Sequence, residues 1–226
     1  MSVFDEWATM FAPPSLRTLE DPPEKLYVTG DPSILGTPTV AIVGARGCSV
    51  YGRHMARKLA RELAQQDITT VSGLARGVDT EAHEGSLDMG GATVAVLGTG
   101  IDVIYPDKNV GLAERILEKG GLIVSEHGPG VPPAPDQFPK RNRIIAGLCH
   151  VMVVVEARLR SGSMGACMWA LTLNRPLLAF PDQAGVALSE GSNRLIQNGH
   201  ARMCLSTQDV VNALRDYSLL HMEVGS

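Results

Sequence analysis

The residues best suited to chemistry form a cluster of cations at the start of a predicted helix. Lys140, Arg141 and Arg143 occupy three of four consecutive positions, and Phe138 and Asn142 stand beside them. Cations in such a cluster bind phosphate, Asn142 can hydrogen-bond to a phosphate or a base edge, and Phe138 offers a ring on which a base can stack. The competing interpretation is ordinary: a run of charges is usually a solvated helix face, and one aromatic before a proline can equally be a core residue.

A second anion-binding pattern follows the strand predicted at 151–155. After that strand come Arg158 and Arg160, the turn Ser161-Gly162-Ser163 and a helical segment. Backbone N–H groups at a helix start, with hydroxyls and a glycine around them, bind anions at the carboxyl ends of strands in α/β sheets. A helix N-cap alone would explain only one of the two serines. We therefore predict that this turn and the cationic helix start are neighbours in space and face a polyanion.

Two further turns carry a glycine and an arginine after a buried strand. Gly44 and Arg46 follow the first predicted strand, and Gly73 and Arg76 follow the second. The first turn lacks the Gly-x-Gly-x-x-Gly fingerprint of dinucleotide sites, and an arginine there suits a phosphate that it can hold with two hydrogen bonds. Bonding of this arginine to neighbouring carbonyl oxygens or to a carboxylate is the alternative.

Strands and helices alternate from residue 39 onward. The predicted strands are apolar runs typical of burial on both faces, and segments with helical apolar stripes separate them. This alternation predicts an α/β fold with a mainly parallel sheet and helices on both faces. Because the carboxyl ends of parallel strands meet at one edge, the turns described above share that edge. The predicted strands are 39–44, 68–72, 92–97, 122–125, 151–155 and 176–181.

The first 38 residues differ from the rest because they contain six prolines. Proline disfavours helices, so we predict a proline-rich N-terminal arm at residues 1–38 and one Rossmann-like domain at residues 39–226. Trp7 and Phe11 have helical spacing, which predicts a brief helix within the arm. A partly ordered terminus is the alternative.

Composition narrows the classes of function. A net charge of -4 over 226 residues argues against a protein coated in positive charge, although it is compatible with a local basic groove. The four cysteines lack Cys-x-x-Cys spacing and have no histidine at ligand spacing, so we expect no metal site, disulfide framework or cofactor. The chain has no signal peptide and no apolar run of membrane-spanning length, so we expect a cytoplasmic protein without a membrane partner.

Catalytic patterns are weak in this sequence. No Gly-x-Ser-x-Gly elbow or Walker lysine loop is present. Asp79 and His83 stand four residues apart on a predicted helix, and His127 follows Glu126 at a strand end. For each of these a structural hydrogen bond is the favoured interpretation, so we expect no enzymatic activity.

Seven stretches of the chain together resemble the DNA-processing protein A family, also called DprA or Smf, over about residues 38–209. Each motif alone is modest, but seven in the family's order are a specific signal. They are 40–46, 71–83, 96–102 with Tyr105-Pro106, Ser125-Glu126, 138–148, 160–163 and 191–196.

The resemblance implies an extended Rossmann-like domain that binds single-stranded DNA in a basic pocket and is not an enzyme. It also implies a homodimer that delivers the DNA to the RecA recombinase in recombination or natural transformation. By position, it places Arg46 on a backbone phosphate, Phe138 at a base, and along the groove Arg141, Asn142, Arg143, Ser161, Gly162 and Ser163.

Some features depart from the family pattern. Members usually carry a helical N-terminal domain, and many add a winged-helix domain, whereas this chain has a proline-rich arm and one final helix; we therefore expect fewer contacts with DNA. Residues 164–167 differ from many relatives, which affects helix packing more than the pocket. For the dimer contact we predict the helix at 164–173 or the strand around Leu177.

Two other functions stay open. One is a nucleotide-processing enzyme of the phosphoribohydrolase type, although its Pro-Gly-Gly-x-Gly-Thr loop is missing from this sequence. The other is a sensor that binds a nucleotide without chemistry.

Overall fold

The fold is an α/β sheet structure, seen in a computed structural model that describes residues 3–223. Within this range the strands are β1 Ala8–Phe11, β2 Lys25–Gly30, β3 Thr39–Val43, β4 Thr69–Ser72, β5 Thr93–Gly100, β6 Leu122–His127, β7 Val151–Val154, β8 Leu177–Ala179 and β9 Arg202–Met203. They form one sheet in the order β1-β2-β6-β5-β4-β3-β7-β8-β9. In this order, neighbouring strands from β6 to β9 are parallel to each other. At the other edge, β1 pairs antiparallel with β2, and β2 pairs antiparallel with β6.

Helices cover both faces of this sheet. They are α1 Pro14–Arg17, α2 Val50–Ala64, α3 Val78–Asp88, α4 Val110–Glu118, α5 Gln137–Leu148, α6 Gly162–Thr172, α7 Glu190–Gln197 and α8 Thr207–Glu223, with short 3-10 turns at Pro32–Gly36 and Asp107–Asn109. Along β3, Ala41 and Val43 pack with α1, α5 and α6, whereas Val40 and Ile42 pack with α2 and α8. All five residues of β3 are buried because the strand is covered on both sides. The predicted mainly parallel α/β architecture is confirmed.

The start of α2 shows how the sequence sets a helix boundary. Ser49 caps this helix: its Oγ accepts a hydrogen bond from the Gly52 N–H at 3.1 Å. The buried Glu156, at the end of β7, accepts bonds from the Ser49 N–H (2.9 Å) and the Ser49 hydroxyl (2.5 Å). The carboxylate therefore ties the loop after β3 to the loop after β7.

The N-terminal segment contributes strands to the sheet. β2 pairs with β6, with Tyr27 opposite Ser125, and β1 extends the sheet beyond β2. The helix predicted around Trp7 and Phe11 is wrong: this stretch is extended and pairs with β2, and tertiary pairing overrides the helical spacing. The division of the chain at residue 38 stays a prediction about folding units. None of the helices at residues 3–223 combines the length and the apolar character needed to cross a bilayer.

Candidate functional site

A cleft of about 740 Å³ opens at the carboxyl edge of the sheet. It lies between the loop after β3, the start of α5 and the loop that leads into α6. β3 and β7 are adjacent and parallel, so the loops that follow them meet at this edge. The wall is completed by the proline-rich loop at 133–135 and by Leu188.

The loop after β3 is held by close contact with the loop after β4. A Cβ at Gly44 would lie 2.6 Å from a methyl group of Val78, and Gly77 adopts a φ of +77° directly against the Ala45 carbonyl. The Val78 N–H donates to that same carbonyl at 3.3 Å. Both glycines are therefore required by packing, and the loop presents the exposed Arg46 toward the cleft.

Phe138, at the start of α5, is the aromatic centre of the cleft. Its ring packs on Gly98, where a Cβ would lie 2.9 Å from Cδ1. The ring of Tyr105 lies beside it with centroids 5.5 Å apart and an angle of 39° between planes. The guanidinium carbon of Arg46 lies over the Phe138 ring, 5.5 Å from its centroid. An exposed cation and two aromatic rings thus stand together at the cleft mouth.

Arg141 lies at the base of the cleft and is buried. Its Nη1 donates to the carbonyl oxygens of Gly73, at 2.8 Å, and of Val96. A Cβ at Gly73 would lie 2.6 Å from Arg141 Nη2, so only glycine leaves room for the guanidinium. Burial lowers the pKa of Arg141 to about 10, against the opposing charge of Asp79, and the side chain stays cationic at neutral pH.

Asp79 stabilises the loop that follows β4. One carboxylate oxygen accepts hydrogen bonds from the backbone N–H groups of Gly73 (3.2 Å) and Ala75 (3.3 Å). Burial raises the pKa of Asp79, and the charge of Arg141 opposes that shift. This carboxylate has a structural role, as expected from the sequence.

The start of α6 faces the start of α5. The Asn142 side-chain amide donates to the Gly162 carbonyl at 2.9 Å, so α5 and the loop before α6 are joined directly. Ser161 precedes the helix and makes no side-chain cap hydrogen bond; its hydroxyl lies 3.2 Å from that of Ser163. The two segments are neighbours, which confirms the prediction. The first-turn N–H groups of α6 are thus left without a side-chain cap, an arrangement that suits an anion.

Comparison with known proteins identifies the family. The sequence model of the family described as DNA recombination-mediator protein A matches residues 7–215. The chain belongs to this family. The match begins at residue 7, just before β1, so residues 7–38 are part of the region that the family shares.

Several members of the family are close in sequence. The DNA processing protein DprA of Streptococcus pneumoniae is 43% identical over 199 residues, which are 88% of this chain and 70% of that protein. Protein Smf of Escherichia coli is 43% identical over 189 residues, 84% of this chain and 50% of that protein, so the chain spans about half the length of this relative. The name of the Streptococcus pneumoniae relative describes DNA processing, and neither name describes an enzymatic reaction.

A solved structure of DNA processing protein A from Helicobacter pylori has the same fold. It superimposes with a TM-score of 0.85 at 35% identity and covers 93% of this chain and 96% of that chain. That study describes a single-stranded DNA binding mode of the Helicobacter pylori protein. The extended Rossmann-like fold implied by the family resemblance is therefore confirmed.

The structure brings together most of the residues predicted to bind DNA or phosphate. Eight of them line the 740 Å³ cleft: Gly44, Arg46, Phe138, Arg141, Asn142, Ser161, Gly162 and Ser163. Gly73 and Arg76 line a second cavity of about 50 Å³ that shares Arg46, Phe138 and Arg141 with the cleft. Contact of these residues with DNA stays a prediction.

Three predicted residues lie outside the cleft. Arg143 is buried and pairs with Glu126, so its predicted place along the groove is wrong: it points from α5 toward β6. Lys140 is exposed on the surface of α5, with its Nζ 3.7 Å from a carboxylate oxygen of Asp136. Arg160 is exposed in the loop before α6 and is not part of the cleft wall.

The cleft also contains residues outside the predicted set of DNA contacts. Tyr105 and Arg158 both line it, and Tyr105 also borders the smaller cavity. Tyr105 stands in a motif of the DNA recombination-mediator family, and Arg158 belongs to the same cationic loop as Arg160. The sequence therefore contains a signal for each of these two residues. Leu188 comes from the loop between β8 and α7 and carries no local signal in the sequence.

Proposed function

We propose that this protein binds single-stranded DNA in the 740 Å³ cleft. The observation that carries the proposal is the convergence of an exposed arginine, two aromatic rings and an uncapped helix start in one cleft. The rings suit bases that double-stranded DNA keeps stacked and paired, and the arginine and the helix start suit the phosphates that join those bases. Membership of the DNA recombination-mediator family supports the same assignment.

In the proposed complex the sugar-phosphate backbone runs from the start of α6 toward Arg46. The N–H groups and hydroxyls of the Ser161-Gly162-Ser163 turn hold one phosphate, and the Arg46 guanidinium holds a neighbouring one. Arg76, at the smaller cavity, extends the path by a further cation. Buried Arg141 acts from below by making the electrostatic potential of the cleft positive.

Bases are proposed to stack on the aromatic side of the cleft. Tyr105 is exposed and Phe138 is half-buried, and their adjoining rings offer an apolar surface of the kind that holds unpaired bases. Stacking tolerates every base, and phosphate contacts carry no sequence information. The proposal therefore includes weak sequence preference.

Fluorescence anisotropy with a labelled oligo-dT strand tests this proposal. We compare wild type, Arg46→Ala and the control Arg215→Ala, which removes the same charge from an exposed position on α8. Wild-type affinity should fall steeply between two salt concentrations, Arg46→Ala should weaken binding by about tenfold or more, and Arg215→Ala should change little. Equal binding by all three proteins would overturn the assignment of the cleft.

Calorimetry beside the anisotropy measurement distinguishes DNA binding from the alternative function, a nucleotide sensor. A cleft of this size also suits a mononucleotide. Calorimetry that detects mononucleotide binding, together with anisotropy that detects no oligo-dT binding, would replace the DNA proposal.

We further propose that the protein acts as a homodimer and transfers its DNA to a RecA-type recombinase in the cytoplasm. The family description as a recombination mediator supports this role. Of the two predicted dimer contacts, Leu177 lies buried in an interior strand, whereas Met168 on α6 is exposed. The test is the lag before recombinase ATP hydrolysis on single-stranded DNA coated with single-strand-binding protein. An unchanged lag on adding this protein would contradict the transfer role.

A further inference from the structure

A buried carboxylate lies at the point where the strand order of the sheet reverses. The chain adds β4, β5 and β6 on one side of β3, and then β7, β8 and β9 on the other side. In dinucleotide-binding folds of the Rossmann type, this point holds the phosphates of the ligand at the start of the helix that follows the first parallel strand. Here that helix is α2. Its start is instead contacted by Glu156, which follows β7 and is fully buried.

The donors that hold the Glu156 carboxylate belong to the start of α2. Oε2 accepts a hydrogen bond from the Ser49 N–H at 2.9 Å, and Oε1 accepts one from the Ser49 hydroxyl at 2.5 Å. A Cβ at Gly52 would collide with Oε2, so the carboxylate packs directly on the first turn. That turn contains no acidic residue of its own. Glu156 therefore supplies the negative charge that the start of a helix favours.

The surroundings of Glu156 are those of a bound anion. None of the ion pairs found within residues 3–223 involves this residue. A carboxylate that is buried without a cation depends on hydrogen bonds and oriented dipoles for its stabilisation. A backbone N–H, a hydroxyl and a helix start are also the partners that proteins use for phosphate. Neither Glu156 nor Ser49 lines the cleft, so the cleft wall separates this position from a ligand.

We propose that the Glu156 carboxylate permanently takes the place of a ligand phosphate at the start of α2. Of the two helices that begin beside β3 and β7, α2 thus has its anion built in. The other, α6, has no side-chain cap at Ser161 and no acidic residue in its first turn, and its start lines the cleft. Glu156 therefore determines specificity: a dinucleotide finds no pyrophosphate site at α2, and the phosphates of a bound strand are directed to α6 and Arg46. The part about a strand rests on the proposed function.

The same carboxylate positions the loop that carries Arg46. At one end of this loop the Val78 N–H donates to the Ala45 carbonyl at 3.3 Å. At the other end Glu156 holds Ser49 through its backbone and its hydroxyl. Arg46 is exposed between these two attachments. Loss of the carboxylate should therefore loosen the loop at the end next to α2.

Rescue by a small anion tests the proposal without DNA. Glu156→Ala removes a CH2–COO⁻ group, whose shape and charge acetate reproduces. Urea unfolding at pH 7 is measured in sodium acetate, in sodium chloride of equal ionic strength, and in that chloride solution with acetamide, the neutral analogue. We expect the urea midpoint of the variant to be lowered in chloride, to rise saturably with acetate and to stay low with acetamide, while wild type changes little. Equal effects of acetate and acetamide on the variant, or no effect of either, would overturn the proposal.

Asp209→Ala is the matched control for this rescue. The Asp209 carboxylate also accepts backbone N–H groups at a helix start, from Leu205 and Ser206, both at 2.9 Å, but these bonds are exposed to solvent. Its removal leaves no enclosed space, so we expect lower stability and no specific gain from acetate. Specific rescue of Asp209→Ala as well would show that acetate does not report on the buried position.

Glu156→Gln tests the charge in a second way, which remains available if the alanine variant fails to fold. The amide keeps the shape of the side chain but removes its negative charge. Hydrogen bonds to a charged acceptor are about twice as strong as those to a neutral one, so we expect a urea midpoint below that of wild type at pH 7. A midpoint equal to or above that of wild type would contradict the role of an anion.

Anisotropy with labelled oligo-dT tests the positioning of Arg46. At a temperature where circular dichroism shows Glu156→Ala to be folded, we expect it to bind about threefold to tenfold more weakly than wild type, since at most the Arg46 contact is lost. Equal binding by the two proteins would refute the positioning of Arg46 by Glu156. If wild type itself does not bind oligo-dT, the proposed function fails, and the acetate experiment still decides whether Glu156 is the anion of α2.

Discussion

Arg143 and Glu126 form a bidentate ion pair. Nη1 donates to Oε2 at 2.9 Å and Nη2 to Oε1 at 2.5 Å. The Arg143 Nε also donates to the Asp21 carbonyl at 3.1 Å. These bonds fasten α5 to β6 and to the segment after α1. Arg143 is therefore a positioning residue for the helix that presents Phe138.

Replacing Arg143 should destabilise the fold. Arg143→Leu keeps apolar volume but leaves the Glu126 carboxylate unpaired, and removal of one partner from a buried ion pair costs about 3–5 kcal/mol. Because the Glu126 side chain is 25% exposed while that of Arg143 is 6% exposed, water relieves part of this cost, and we expect a loss of about 2–3 kcal/mol. Urea unfolding measures it, with Arg215→Leu as the exposed control. Lost oligo-dT binding at unchanged stability would return Arg143 to a role in the groove.

Gly98 should control the position of Phe138. In Gly98→Ala the new Cβ would lie 2.9 Å from Phe138 Cδ1, so the ring must shift away from its place beside Tyr105 and under Arg46. Base stacking is worth about 1–3 kcal/mol per base, so we expect oligo-dT affinity to fall by about tenfold. Gly111→Ala is the matched control, because a Cβ there meets no heavy atom within 4 Å. Unchanged affinity in Gly98→Ala would show that the ring position does not matter for binding.

His83 should make the fold sensitive to acid. Its Nδ1 lies 2.7 Å from the Thr93 hydroxyl, and burial, followed by the charge of Arg141, lowers its pKa from 6.5 to about 3. Between these two values the unfolded chain binds a proton that the folded protein does not, so stability falls as the pH falls through this window. From pH 7 to pH 5 this linkage amounts to about 2 kcal/mol.

The variant His83→Gln isolates that contribution. Urea unfolding at pH 7 and pH 5 should show a smaller loss of stability for the variant than for wild type. The raised pKa of Asp79 acts in the opposite direction, because the folded protein then binds the extra proton, and it is common to both proteins. Parallel stability losses in the two proteins would show that His83 does not titrate on unfolding.

The sequence predicts that the site lies at the carboxyl edge of the sheet. Apolar runs separated by helical stripes specify parallel strands, and parallel strands place their following turns at one edge. Arg46, Phe138 and Ser161 are far apart in sequence but were expected together for this reason, and they line one cleft. Local patterns suffice here because strand direction and chain order leave few alternatives.

The N-terminal segment shows where local patterns fail. Trp7 and Phe11 are four residues apart, and a spacing of four places residues on one side of a helix and also on one face of a strand. Strand pairing decides between these two structures: β1 pairs with β2, and β2 pairs with β6, which follows it by about 100 residues in the chain. Such long-range pairing leaves no periodic signal in the segment itself.

What the sequence by itself determined was the α/β alternation, the shared edge and the types of residue available there. Tertiary structure decided what each cation of α5 does. Successive residues on a helix point about 100° apart. Lys140 therefore faces solvent, Arg141 lies beneath the cleft against the carbonyls of β5 and the β4 loop, and Arg143 reaches β6. Only the packing of α5 against the sheet assigns these directions, because adjacent charges of one kind are equivalent until neighbouring strands surround them.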